Sequence, residues 1–349
     1  MATSAVRAFV ERFGDGDLIA CATLQPGLEY VETSFGAWAF RRVGGVSAAL
    51  GGPWCAPGDR AEMLRRFLRA SRKPMMFYLR GPFAAVCARA GLHTASMGQD
   101  RVLDTAALLR EPPKEVRGAL RHTARHDFAL REVSLSRLDA SLRAQLDDIS
   151  RDAIGRTDVG REITFLNRPW SSVDDGARRV FLLGQGDSIL GFAVINAIWR
   201  EGVVGAWLLD LLRFRNTKQW GVWWSVVHAI SARLAAEGTS LAVGFAPLHR
   251  LAHPEGASRT LALQLDWMER RLSHVDYLRR LYALKAALPG HWEPRALASY
   301  TSLAPRVVQV FVEASGVRFA SLLGPPLLDV LRRGFAHDAG GARCAAGTR

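Results

Sequence analysis

Residues Val204 to Leu248 constrain the fold more than any other stretch of the chain. Val204 to Leu209 reads as a strand ending in Asp210-Leu211-Leu212-Arg213. A polar turn, Arg215-Asn216-Thr217-Lys218-Gln219, leads into a long helix reaching about Ala236. Ser240 to Phe245 is a second strand, running into Ala246-Pro247-Leu248. Strand-length apolar runs on either side of a longer apolar-rich segment predict strand, helix, strand. A charged pair where a buried strand ends is a place at which α/β proteins put chemistry. Asp210 and Arg213 are therefore the first candidate site residues.

The same alternation extends over most of the chain. Ala5 to Phe13 has helical periodicity, and short strands are predicted at Leu18 to Leu24, Ala37 to Val43 and Val46 to Leu50, the last closed by Gly51-Gly52-Pro53. Asp59 to Ser71 is a basic amphipathic helix carrying Arg60, Arg65, Arg66 and Arg69, with Arg72 just beyond it. Pro74 to Leu79 reads as a strand, Pro82 to Ala90 as a helix, and His93 to Leu103 as one or two strands. A helix is predicted from Val133 to about Asp152, then a polar linker from Gly155 to Arg161. Strands follow at Arg179 to Leu183 and Ile189 to Ile195, with Gly184-Gln185-Gly186-Asp187 as their turn. Helices around Thr260 to Ser273 and Tyr277 to Leu288, a strand at Pro294 to Tyr300 and a helix at Pro305 to Ala314 come last. Strands alternating with helices make the class α/β. The Gly- and Ala-rich tail from Gly340 reads as disordered.

At 349 residues the chain is long enough for two domains or one large one. Its 49% hydrophobic and 23% charged residues are ordinary for a globular protein, but a net charge of +13 is not. Such a surplus favours a polyanionic partner, whether RNA, DNA or an anionic lipid surface, or else marks an arginine-rich solubilising surface. Cys21, Cys55, Cys87 and Cys344 have neither disulfide-framework nor metal-ligand spacing and read as reduced thiols. The N-terminus lacks a signal-peptide pattern, and no apolar run is long enough to span a bilayer. The expected location is cytoplasmic, with peripheral contact at the inner membrane face as a further option.

Pro112 to Phe128 is the second informative stretch. Two prolines open a helix on which Lys114, Arg117, Arg121 and Arg125 recur at spacings of three and four, forming one basic stripe flanked by His122 and His126. Val116 and Leu120 lie on a different face. Aligned cations repel one another, so the stripe suits a phosphate backbone across it, although a solvated face is the plain alternative.

Several chemistries lack their motifs: G-x-G-x-x-G after a first strand, Walker A, G-x-S-x-G and H-E-x-x-H are all missing. His249 and His253 have i, i+4 spacing, but Pro254 follows at once, so no metal is expected. Trp220, Trp223 and Trp224 on the helix after Asp210 could stack on a terminal adenine, but read more simply as core.

Asp210-Leu211-Leu212-Arg213, then Gly244-Phe245-Ala246-Pro247-Leu248, then Lys285 ahead of Trp292-Glu293-Pro294-Arg295 resemble the C-terminal synthase domain of phosphatidylglycerol lysyltransferases. The basic helix from Lys114 to Arg125, Gly51-Gly52-Pro53 and Asp100 to Leu103 fall in the matching order. The resemblance spans roughly residues 18 to 302 as spaced anchors. It implies an α/β fold of two tandem acetyltransferase-like (GNAT-type) lobes with mixed central sheets. The expected division is 1–150, 151–315 for the catalytic lobe, and a C-terminal extension over 316–349. It also implies transfer of an aminoacyl group from aminoacyl-tRNA to a hydroxyl or amine acceptor, without a cofactor. His249 stands where the family usually has serine, Ala296 where it has an aromatic, and Gly52 where it has an acid. These departures bear on the amino acid and acceptor used. The sequence has no counterpart of the membrane-spanning half of larger members.

An aminoacyl ester is already activated, so the protein must position it, deprotonate the acceptor, stabilise the oxyanion and protonate the leaving ribose hydroxyl. Asp210 is the first candidate for binding the α-ammonium or acting as base, with Glu293 second; alternatively Asp210 caps the turn and pairs with Arg213. Arg213 and Arg295 suit forked phosphate recognition, although Arg295 could simply pair with Glu293. Lys285 could hold a phosphate or lie on the surface. Phe245, Pro247 and His249 would wall the substrate pocket, and Lys114, Arg117, Arg121 and Arg125 would bind tRNA. The acceptor is then an anionic phospholipid, phosphatidylglycerol first, or a small amine or hydroxylamine metabolite. An acyl-CoA acetyltransferase is weakened because no pyrophosphate loop is found between Arg213 and Gly221. A non-catalytic RNA-binding module is the reading from a different class.

Overall fold

The computed structural model describes residues 2–157, 160–186, 188–215, 221–272 and 276–317. In chain order, α1 (Ser4–Phe13) precedes β1 (Glu29–Thr33), β2 (Gly36–Val43), β3 (Val46–Leu50) and the short β4 (Trp54–Cys55). Then α2 (Arg60–Ala70), β5 (Pro74–Leu79), α3 (Gly81–Arg89) and β6 (His93–Leu103) alternate, followed by α4 (Thr105–Arg110) and the basic α5 (Lys114–Arg125). Next come β7 (Phe128–Val133), α6 (Ala140–Gly155), β8 (Arg178–Gln185), β9 (Ser188–Arg200), β10 (Val203–Phe214), α7 (Val222–Ala236) and β11 (Leu241–Pro247). The last are α8 (Arg259–Leu272), α9 (Asp276–Ala286), β12 (Gly290–Ser299) and α10 (Ala304–Ala314).

All the strands join one mixed sheet in the order β1-β2-β3-β5-β12-β6-β11-β10-β9-β8-β7, with β4 on β2. The α/β class with a mixed central sheet is thus as expected. β12, from late in the chain, runs antiparallel to both β5 and β6 and separates them. The pairs β3–β5 and β10–β11 are parallel, each joined through a helix. β10 and β11 pair only through Trp207–Leu241 and Leu208–Ala242. Beyond these, β10 stays on β9 and β11 stays on β6, so a wedge opens between the two strands.

Alternation along the strands sends side chains to two cores. Val180, Leu182, Phe192 and Val194 meet α6 through Leu146 and Ile149, while Phe181, Leu183, Ala193 and Ile195 join the core on the other face. At the opposite end Trp38 packs on Phe67 of α2 (centroids 4.8 Å) and Phe83 of α3 (5.5 Å). Its indole N–H donates to the Gly51 carbonyl at 2.9 Å, as a fully buried indole requires.

Three local expectations are corrected. Leu18 to Leu24 is not a strand but turns and a 3-10 helix at Cys21–Leu24, all buried. Thr23 and Gln25 side chains take up local carbonyls there, so the apolar run reported burial rather than pleating. Val133 ends strand β7; the helix starts only at Ala140, where Asp139 accepts from the Leu142 N–H at 2.7 Å as N-cap. β10 does not end before Asp210 but continues to Phe214, with a bulge between Leu209 and Leu211. The Asn216–Gln219 turn residues, Trp220, Asp187 and the tail from 318 lie outside the described residues.

Candidate active site

The sheet brings a run of buried polar side chains to its centre. The register places Phe245 of β11 and Glu293 of β12 on either side of Asp100 of β6. Asp100 is fully buried; the Tyr78 hydroxyl donates to one carboxylate oxygen at 2.5 Å and Arg295 Nε to the other at 2.5 Å. Arg295, only 1% exposed, also faces Asp17 at 3.6 Å and Glu293 at 3.1 Å, and its guanidinium lies 4.9 Å over the Tyr78 ring. Burial works against the Arg295 charge, but Asp100 and Asp17 more than restore it and push its pKa well above the usual value. Burial pushes the Asp100 carboxyl up, against the Arg295 charge and both hydrogen bonds. Two donors facing its two oxygens match the ionised form.

Tyr78 occupies the left-handed region at φ 67, a strained position for a bulky side chain. Its N–H points to Met97 Sδ at 2.9 Å. Tight packing on β6 and β12 holds a conformation the residue would not otherwise adopt.

Lys285 enters the same region from α9. Its Nζ donates to the Phe245 carbonyl at 2.6 Å, and burial lowers its pKa to about 7, with Asp100 opposing the shift. One turn earlier on α9, the Tyr282 hydroxyl donates to the Pro247 carbonyl. The His249 ring stacks on Tyr282 (centroids 4.4 Å) and tilts against Trp292 (4.8 Å). Burial, then Arg250 and Lys285, lower the His249 pKa and favour a neutral ring. Leu248 and Arg250, both at φ 49, flank His249 in the left-handed region, so the turn is pinned rather than relaxed.

Asp210 sits in a second cluster, at the β10 bulge beside the wedge. Asn167 Nδ2 donates to Oδ1 at 2.7 Å; Asn196 Nδ2 and the Arg168 N–H donate to Oδ2 at 2.6 and 3.1 Å. Burial raises its pKa, against the Asn167 hydrogen bond and the Arg178 charge. Arg213 pairs with Glu162 at 2.6 Å and not with Asp210. Among the described residues no hydrogen bond or ion pair joins Asp210 or Arg213 to Glu293 or Arg295. The structure therefore gathers Arg295, Glu293, Lys285, Phe245, Pro247 and His249 around one centre and puts Asp210 and Arg213 in another.

Asp100, Tyr78 and Asp17 were not among the sequence candidates. Gln99-Asp100-Arg101 inside a strand carries the missed signal: a charged run in a strand covered on both sides must find partners. Both ring nitrogens of His253 have protein partners: Nδ1 accepts from the Ser96 N–H at 3.0 Å and Nε2 faces Asp266 at 2.8 Å. No group of three or more acidic, His or Cys residues able to hold a metal occurs among the described residues.

The basic stripe is on α5 as predicted, with Lys114, Arg117, Arg121 and Arg125 all exposed and Val116, Ala119 and Thr123 buried. The buried face rests on α7. A Cβ at Gly221 would come within 2.8 Å of the Ala119 Cβ, so glycine lets the helices touch. Thr123 Oγ1 and Ser225 Oγ lie 3.2 Å apart across the helix pair. The basic helix thus sits against the start of the helix that links the two wedge strands.

The family model for the phosphatidylglycerol lysyltransferase C-terminal domain matches residues 7–299. The chain belongs to this family. No curated protein matches the sequence. Among solved structures, the C-terminal domain of a protein described as a lysylphosphatidylglycerol synthetase from Agrobacterium fabrum is 21% identical. It covers 89% of this chain and 96% of its own, with TM-score 0.71. L-PGS from Bacillus licheniformis, at 16% identity, covers 90% of this chain and 96% of its own with the same TM-score. FemX, at 11% identity, covers 88% and 98% with TM-score 0.52. These likenesses show the shared fold, and family membership makes the chain a transferase domain of the lysylphosphatidylglycerol synthase type. Among the described residues no helix is long and apolar enough to cross a membrane.

Proposed function

We propose that this domain moves an aminoacyl group from aminoacyl-tRNA to the glycerol headgroup of phosphatidylglycerol, and that the Asp100–Arg295–Lys285 centre is where transfer occurs. The observation that carries this reading is the setting of Lys285: a buried amine whose Nζ donates to the Phe245 carbonyl beside Asp100, and whose pKa burial lowers to about 7. A group titrating near the working pH is suited to both taking and returning a proton.

In this scheme the acceptor hydroxyl oxygen attacks the ester carbonyl carbon while its proton passes to neutral Lys285 Nζ. The tetrahedral oxyanion collapses, the bond to the ribose oxygen breaks, and that oxygen takes the proton back from Lys285. Atoms and charge balance without cofactor or metal ion. Arg295, neutralised by Asp100, Asp17 and Glu293, supports the centre rather than binding a free phosphate. Glu293, half-buried at its edge, is the carboxylate for the donor's α-ammonium. Asp210, saturated by fixed donors, shapes the wedge instead of acting as base, and Arg213 with Glu162 holds its rim. The α5 stripe supplies the phosphate-backbone contact for tRNA.

The test is transfer of radiolabel from individual aminoacyl-tRNAs into lipid, with and without phosphatidylglycerol vesicles. Label in lipid that disappears in Lys285→Met is the expected result. Loss of label from tRNA with none in lipid would move the acceptor to a small molecule. Turnover of an acyl-CoA without any tRNA-dependent transfer would overturn the proposal.

A further inference from the structure

α8 buries Leu261 and Leu265 and turns Leu263 outward, 57% exposed. Leu303, just ahead of α10, is 58% exposed. Gln264 joins the two places: its side-chain amide donates to the Ser302 carbonyl at 3.3 Å and accepts from the Ala304 N–H at 2.9 Å, the residues flanking Leu303. Trp267, one turn along α8 from Leu263, carries the Arg271 guanidinium 5.7 Å over its ring. Gln264 thus brings the segments carrying the two exposed leucines together, with an indole one turn along α8 from the first.

The charges around this corner are sorted. Helical spacing puts Arg259 and Arg270 on the same face as Leu263, and both are exposed. The two carboxylates of α8 are engaged with the loop after β11: Asp266 faces His253 Nε2 at 2.8 Å, and Glu269 accepts from the Arg250 N–H at 2.6 Å. Aliphatic tips, an indole and a rim of arginines are the composition that settles into the boundary of an anionic bilayer. A polyphosphate chain offers nothing for the leucines, and the patch is small beside the roughly 800 Å² per partner of a stable protein interface.

We propose that the α8–Leu303 corner docks the domain on an anionic lipid surface, with Leu263, Leu303 and Trp267 entering the interface and Arg259 and Arg271 at the phosphates. The choice of lipid rests on the transfer reading above. Because α8 also fixes the loop carrying His249, docking brings the Tyr282–His249–Trp292 wall close to the headgroups.

Co-sedimentation of the full chain with phosphatidylglycerol-containing and with pure phosphatidylcholine vesicles reads docking without any transfer step. The protein should partition onto the anionic vesicles only. The double variant L263E/L303E should lose about 10- to 100-fold in partition, each leucine accounting for up to about tenfold. R259E/R271E, which leaves the leucines in place, should also bind more weakly, while V203E, on the exposed β9–β10 hairpin, should bind like the parent. Unchanged binding by both double variants, equal binding to the two vesicle types, or a parent dimer that L263E/L303E disperses would overturn the proposal. Vesicle binding lost in L263E/L303E without any aminoacyl-lipid product in the parent would support docking while refuting the transfer reading.

Discussion

Asp100 and Asp210 are buried carboxylates held in opposite ways. Asp100 lies against a cation and a phenol, and removing either side of the Asp100–Arg295 pair leaves a charge in the core. Asp210 accepts its hydrogen bonds from two carboxamides and a backbone N–H, neutral dipoles that form a shaped bed around it, with the Arg178 charge acting on it without an ion pair. The first arrangement concentrates charge and shifts the pKa values of its neighbours; the second fixes a position in a strand bulge. A buried acid is thus not evidence of chemistry until its partners are known.

The largest expected effect tests this contrast directly. Asp100→Asn should lower unfolding free energy by about 3–5 kcal/mol in urea titration, because Arg295 loses its closest counter-charge. Asp210→Asn, the same chemical change, should cost about 1–3 kcal/mol, since the loss is chiefly of individual hydrogen bonds rather than of a contacting ion pair. Equal losses would break the comparison.

Next in size, Lys285→Met should reduce transfer by about 10²- to 10⁴-fold and remove the inflection near pH 7 from the rate profile. The same substitution has a signature in stability. Between about pH 7, the folded value, and the higher unfolded value, the unfolded chain binds the proton and the folded protein does not. Stability therefore rises with pH in that window, by up to about 1.4 kcal/mol per unit from this group, and is flat below it. Lys285→Met should lose that slope, read as the difference between paired denaturation series at pH 6 to 9.

The smallest effect on stability belongs to the exposed α5 stripe. Arg117→Ala with Arg121→Ala should leave unfolding within roughly 0.5 kcal/mol yet lower the salt slope of tRNA binding by about 1 for each phosphate left without its arginine. A stability loss as large as that of Asp210→Asn would mean the stripe is structural.

The sequence was most readable where periodicity and exposure coincide. α5 was the most legible helix because its charges face out and Val116 faces in, so spacing alone separates the faces. β10 was legible as a strand but not in length: Asp210 and Arg213 look like a turn until Asn167, Asn196 and Glu162 arrive to satisfy them. Leu18 to Leu24 misled because burial in an irregular segment leaves the same apolar run as a strand. The site centre was half visible. Arg295, Glu293 and Lys285 stood out, but Asp100 and Tyr78 depend on which strand separates β5 from β6, and no local pattern reports a pairing across nearly two hundred residues.

That pairing has a consequence for synthesis. β5 and β6 leave the ribosome early, yet neither can complete its hydrogen bonding until β12, beginning at Gly290, has been made. Until then the nascent chain holds two open strand edges together with the unpaired Asp100 carboxylate, a state suited to holdase protection or to sticking to other chains. Completion of the sheet centre therefore waits on β12. A ribosome that stops short of β12 releases a chain lacking Arg295, without which neither the sheet nor its charged centre can close.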